Sequence, residues 1–406
     1  MHQTTKLPNG LTVITVPLPG VETAAIGLHV DVGSRHEPAE LNGVAHMIEH
    51  MVFKGTTARS ARAIAEQIED VGGQLNAYTS RDMTVFHARV LAGNVPLAVD
   101  MIADLVLRPN LEASELEKEK AVVLQELGEA RDTPDDIIHD HLQEAAFPHQ
   151  PLGRSILGSE ASIAAIGAHD LSAWLAEHFT GARSVLAAAG KVDHAEIVDL
   201  AQSHLAAMPH GERADSLAAT FSGGTHADRR KFEQAHLTLG WEGPANRHVD
   251  HSAIQLFACA AGGGMSSRLF QELREERGLA YTIYAHHQPF TDIGLFSVYL
   301  ATAPSDAAGA RALTQEVLAA TARDLSEAEL ARARAQLKAG LLMNLETSGG
   351  WAEFAARQYM IYGRLTPPAE IVARLDATGV DQVRVAAAQM LSRAPAWATV
   401  GLKKAA

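Results

Sequence analysis

The 406-residue chain has one cysteine, Cys259, so no disulfide can close within it, and a reducing, cytoplasm-like compartment is expected. Flanked by Phe257, Ala258 and Ala260, that cysteine reads as a small core residue. No uninterrupted apolar run reaches the ~18 residues of a membrane-spanning helix, and the first ten residues carry no cleavable signal pattern. Basic residues are scarce against acidic ones, 34 to 48, and the net charge of -14 disfavours nucleic acid and anionic membranes as partners. Neither a Gly-x-x-x-x-Gly-Lys phosphate loop nor a Gly-x-Ser-x-Gly nucleophile elbow occurs, so nucleotide and serine chemistry lack support.

What is present is a large apolar content, 47% of residues, enough for more than one globular core. Period-2 runs predict strands at Leu11 to Val16, Ala24 to Val32, Leu75 to Thr79, Met83 to Val90 and Val185 to Ala189. Helical spacing covers Ser60 to Val71, Pro96 to Leu107, Ser114 to Ala130, Pro134 to Ala146, Leu171 to His178 and Ala195 to Ala207. Met208 to Asp228, rich in Gly, Ser, Thr and charge, reads as a linker, after which the same order of elements returns. The expectation is an α+β chain duplicated with an offset near 212 residues: a domain at 1–212, a linker at 213–228 and a second domain at 229–406. Ser114-x-x-Glu117 and Ser326-x-x-Glu329 would be capping boxes at corresponding helices.

His46-Met47-Ile48-Glu49-His50 carries the chemistry. On a helix, positions i, i+3 and i+4 share one face, which puts two imidazoles and a carboxylate within reach of one metal ion. Asn42 can cap this helix, an apolar stripe of Val44, Met47, Ile48, Met51 and Val52 would bury it, and Gly55 can end it. The two histidines suit zinc, and the glutamate between them suits a general base that deprotonates an attacking water. A surface helix with two solvated histidines fits the five residues equally well. The shifted copy, Ala258, Ala261 and Gly262, has no ligands, so the first half alone would hold metal.

In the helix opened by Ser114, Glu119 and Glu126 fall on the stripe formed by Leu116, Val123, Leu127 and Ala130. Buried carboxylates need a partner or a metal; otherwise both face water. Glu126 lies 76 residues beyond His50, and here the chain resembles the inverzincin superfamily, which includes pitrilysin, insulin-degrading enzyme and the mitochondrial processing peptidase. That resemblance implies His46, His50 and Glu126 as zinc ligands, one ion per chain, Glu49 as the general base and Glu119 as a supporting acid. It also matches Arg274 and Tyr281, seven residues apart, to the pair that grips substrate and stabilises the oxyanion. Read alone, they are an arginine at a helix end closed by Gly278 and a tyrosine in a strand. Gly73 to Thr79 resembles the family's edge strand, which makes Asn76 and Ala77 substrate contacts through backbone pairing.

The resemblance implies a zinc metallopeptidase acting on short or unfolded peptides, working as a homodimer or as a heterodimer with a related subunit. Gly262-Gly263-Gly264 is shorter than the glycine-rich loop of the non-catalytic processing-peptidase subunit, which favours the catalytic type. The alternative is a catalytically weak structural or partner-activating subunit of the same fold. His139-Asp140-His141 is expected to be a solvated helix face, because i and i+2 diverge.

Overall fold

The computed structural model describes residues 2–212 and 217–402; residues 213–216 of the expected linker lie outside them. The strands are β1 (Gln3–Lys6), β2 (Thr12–Pro17), β3 (Thr23–Val30), β4 (Gln74–Thr79), β5 (Thr84–Leu91) and β6 (Ser184–Gly190), then β7 (Thr225–Asp228), β8 (Ala235–Gly243), β9 (Ala280–Pro289), β10 (Gly294–Thr302) and β11 (Ala396–Val400). The helices up to the linker are α1 (Val44–Met51), α2 (Ala61–Glu69), α3 (Val95–Leu107), α4 (Ala113–Asp132), α5 (Pro134–Ala146), α6 (Glu160–Ala165), α7 (Ala168–His178) and α8 (His194–Leu205). After it come α9 (His251–Gly262), α10 (Ala307–Asp324), α11 (Glu327–Asn344), α12 (Ser348–Tyr362), α13 (Pro368–Ala377) and α14 (Val380–Leu391).

One sheet runs β1-β2-β6-β3-β5-β4 and the other β7-β11-β8-β10-β9. Leaving β1 aside, the two orders correspond strand for strand. In each, the first two strands are parallel and the remaining pairs antiparallel. This is the expected α+β duplication, visible as topology.

The compact units, however, are not contiguous halves. Unit 1 contains Met1–Leu127, Ser155–Leu217 and Met343–Thr366; unit 2 contains Gly128–Arg154, Ala218–Leu342 and Pro367–Ala406. In unit 1, α3 and α8 cover one face of the sheet in a core that includes Leu28, Phe86 and Ile102. The other face is covered by α12, whose Ala352, Ala355, Ala356 and Met360 pack on Ile14, Val85, Val185, Ala187 and Ala189. Strand β6 shows the pleat directly, with Leu186 and Ala188 in the first core and Val185, Ala187 and Ala189 in the second. In unit 2, α9 and α14 pack in a core with Leu239, Phe257 and Phe296, while α5 lays Ile138, Leu142 and Ala146 against Leu295, Ala398 and Val400. A helix from each half of the chain thus serves the sheet of the other half.

Other local expectations changed. Part of the linker is strand, since Thr225–Asp228 pairs in parallel with β11, and the Leu217 carbonyl accepts from the Arg35 guanidinium at 3.1 Å. The Ser326 capping box forms, with Ser326 N donating to Glu329 Oε2 at 2.8 Å and Glu329 N to Ser326 Oγ at 3.3 Å. Ser114 does not cap. Its helix starts one residue earlier, with the Glu112 carbonyl accepting from Glu115 and Leu116. Gly72 (φ +65°) follows the end of α2, and Gly278 (φ +60°) follows Arg274 as expected.

Candidate metal centre

Helix α1 is short, and its start is built with unusual care. Its N-cap is Gly43, at φ 96°, where a side chain would also strike the Leu157 carbonyl oxygen. Asn42, the expected cap, instead donates its amide to Glu37 Oε2 at 2.8 Å and to the Ser155 carbonyl at 3.0 Å. The cap is Glu37: its buried carboxylate accepts the backbone N–H of Gly43 at 2.8 Å and of Ala45 at 2.9 Å. A negative charge at a helix N-terminus satisfies orphan donors and opposes the helix dipole. Val44, Ala45, Met47, Ile48 and Met51 are buried, which turns His46, Glu49 and His50 to the opposite face.

That face meets α4. His46 Nε2 lies 3.8 Å from Glu126 Oε2, and His50 Nε2 lies 3.5 Å from the same oxygen. One donor atom from each of the three residues falls within 4.8 Å of the others. Zinc–ligand distances near 2.0 to 2.1 Å put tetrahedral ligand edges at roughly 3.3 Å, so the donor set fits a zinc ion with little movement. The His46 and His50 side chains are 12% and 17% exposed, enough for access by a small solute. Burial, with the neighbouring His50 ring, lowers the His46 pKa to about 4, which keeps it a neutral donor.

Glu119 is buried one helical stretch before Glu126. Its Oε2 takes His50 Nδ1 at 3.1 Å and its Oε1 takes Lys54 Nζ at 2.6 Å. The contact to Nδ1 fixes the ring so that Nε2 faces Glu126, and Lys54 neutralises the buried acid. Lys54 was invisible to sequence reasoning: it lies past the end of α1, and only the turn at Val52–Lys54 brings it back. Burial raises the pKa of Glu49, against the neighbouring Thr79 side chain and backbone, which favour its charged form.

Thr79 ends β4, the edge strand of its sheet. On it Asn76 faces outward while Ala77 packs into the core, and Asn76 Oδ1 accepts the Ala77 N–H at 2.9 Å. Ala77 can therefore meet a ligand only through its backbone. Between β4 and α2 lies a cavity of about 460 Å³ lined by Phe53, Ile64, Ile68, Leu75 and Asn76 among others. In unit 2, the helical stretch that carries Arg274 contains a wide π-type turn at Phe270–Glu275. It holds the Arg274 guanidinium 4.6 Å from the Phe270 ring and 4.8 Å from that of Tyr281, which is largely exposed. Arg274 and Tyr281 are thus brought together within their own unit.

A duplicated α+β fold in which one copy carries an inverted His-x-x-Glu-His helix facing a distant glutamate defines a class of zinc peptidases. The model of the insulinase family, peptidase family M16, matches residues 12–160, and that of the peptidase M16 inactive domain matches 165–337. The chain belongs to peptidase family M16. Proteins named as uncharacterized zinc proteases are similar along nearly its whole length. That of Rickettsia felis is 35% identical over 398 residues, 98% of this chain and 96% of its own. YmxG of Bacillus subtilis is 34% identical over 385 residues, 95% and 94% of the two chains. The fold matches a peptidase M16 inactive domain from Pseudomonas fluorescens at TM-score 0.93 and 22% identity, covering 100% of this chain and 98% of that one. A protease from Helicobacter pylori matches at TM-score 0.89 and 22% identity, covering 98% and 99%. Among the described residues no helix is long and apolar enough to cross a membrane.

Proposed function

We propose that the protein is a zinc metallopeptidase that hydrolyses short or unfolded peptides in a reducing, cytoplasm-like compartment. The observation that carries this reading is the convergence of His46 Nε2, His50 Nε2 and Glu126 Oε2, with Glu49 on the same helix face. Zinc held there supplies Lewis acidity, making water more acidic and the scissile carbonyl more electrophilic. Glu49 takes the proton of the attacking water and delivers it to the departing amine. Thr79, beside it at the end of β4, favours its charged form. Glu119 is a positioning residue, acting through His50.

Substrate joins the outer edge of β4 as an added strand, with backbone pairing near Asn76 and Ala77 once the Ala77 N–H leaves the Asn76 side chain. The adjoining cavity, in which Ile64, Ile68 and Leu75 meet Gln74, His87 and Arg89, accommodates a substrate side chain. Arg274 and Tyr281 are the substrate-gripping donors of unit 2, and the active form is a dimer. Glu49→Gln should keep zinc and fold while peptide cleavage falls by orders of magnitude. Undiminished turnover would remove Glu49, and with it this mechanism.

A further inference from the structure

We propose that unit 2 carries a second divalent-metal site, formed by His141 and Glu144 of α5 and His226 of β7, which clips the helix to the edge strand of its sheet. His141 and Glu144 are three residues apart on α5 and so share a face, and β7 packs against that helix. His139-Asp140-His141 cannot chelate as a run, but the fold supplies His141 with different partners. Each of the three residues offers one ligand atom, and the atoms lie within 4.8 Å of one another. His226 Nδ1 is 3.3 Å from Glu144 Oε2, matching the roughly 3.3 Å edge of a tetrahedral zinc site.

The histidine rings stack with centroids 3.9 Å apart and planes 12° apart, so both imidazoles already sit together without an ion. His141 Nε2 is buried with no hydrogen-bond partner among the described residues. The Asp228 carboxylate oxygen nearest to it stands 3.6 Å away and is bound to Arg230 at 2.6 Å. A buried polar nitrogen left unmet costs stability, and coordination after a small ring rotation removes that cost. Glu144 is 62% and His226 31% exposed, so an ion can enter from solvent. Two imidazoles with a carboxylate form a borderline donor set, selecting zinc, copper, nickel or cobalt over magnesium or calcium. No residue is shared with the centre of unit 1, and the site takes no part in peptide hydrolysis.

The test titrates metal-free protein with Co²⁺, read by its visible d–d bands, and with Zn²⁺, read by calorimetry and thermal melting. Wild type should take up two equivalents. His46→Ala/His50→Ala should retain one, and that equivalent should raise the melting temperature. His226→Ala should lose it, with affinity down at least about 100-fold, beyond the usual effect of removing a supporting residue. Glu144→Gln, an exposed change that leaves packing intact, should weaken the same equivalent. A wild type that binds one ion and loses it in His46→Ala/His50→Ala overturns the site. So does a second equivalent indifferent to both His226→Ala and Glu144→Gln.

Discussion

Glu37→Gln isolates the cap that builds the metal helix. In the native protein Glu37 Oε2 serves Asn42 and Gly43 while Oε1 serves Ala45, all between 2.8 and 2.9 Å. Glutamine fills the same volume but has one accepting oxygen. Placed on Gly43, it turns its NH₂ toward the Ala45 N–H and leaves that buried donor unmet. Such a donor costs about 1–3 kcal/mol, and loss of the charge at the helix terminus adds about 0.3–1 kcal/mol. The sum, about 1.3–4 kcal/mol, corresponds to roughly 3–16 °C in the melting temperature of a unit of this size. Because His46 is the third residue of α1, fraying of its first turn also weakens metal binding, by roughly 10-fold or more. Differential scanning calorimetry of the metal-free protein gives the first quantity, and competition against a chromophoric chelator the second. A melting shift under about 2 °C with unchanged affinity would show that α1 does not depend on the Glu37 carboxylate.

Three further outcomes follow from the geometry. Glu119→Gln, which loses the charge shared by His50 and Lys54, should lower zinc affinity about 10–100-fold while Glu49-dependent turnover per bound zinc changes far less. Unchanged affinity would remove its positioning role. Tyr281→Phe should cut kcat/KM about 100-fold or more with metal stoichiometry unchanged, as expected for a lost oxyanion donor; full activity would end that assignment. Arg268 holds Glu329 down to about 2, from an ordinary value near 4.5, by direct hydrogen bonds, and Asp324 is lowered by the same guanidinium. The stability this gives is fully present above pH 4.5 and lost as pH falls toward 2. The melting gap between wild type and Arg268→Met should therefore narrow over that interval, and a gap independent of pH would refute the linkage.

The parts of the site that sequence made legible are those fixed by helix periodicity. His46, Glu49 and His50 must share a face, and Glu119 and Glu126 must lie on the stripe of Leu116 and Val123. Residues that act through chain reversals were not legible. Glu37 reaches the helix start from beyond Pro38, and Lys54 returns to Glu119 through a turn, with no period to announce either. The amphipathic patterns of α5 and α12 declare that each covers something apolar, but not which sheet. Strand β7, Thr-His-Ala-Asp, is short and polar, so its place comes from pairing with β11 rather than from its own residues.

The exchange of helices sets an order of events at the ribosome. When the first 212 residues have emerged, the sheet of unit 1 has all its strands but lacks α12, and the face bearing Ile14, Val16, Val185, Ala187 and Ala189 is still bare. It stays so until residues 348–362 are made. Neither half of the duplicated gene product can therefore be expressed, transplanted or evolved as an independent cassette without gaining a sticky sheet face, and the nascent chain holds that liability from the completion of β6 until α12 emerges.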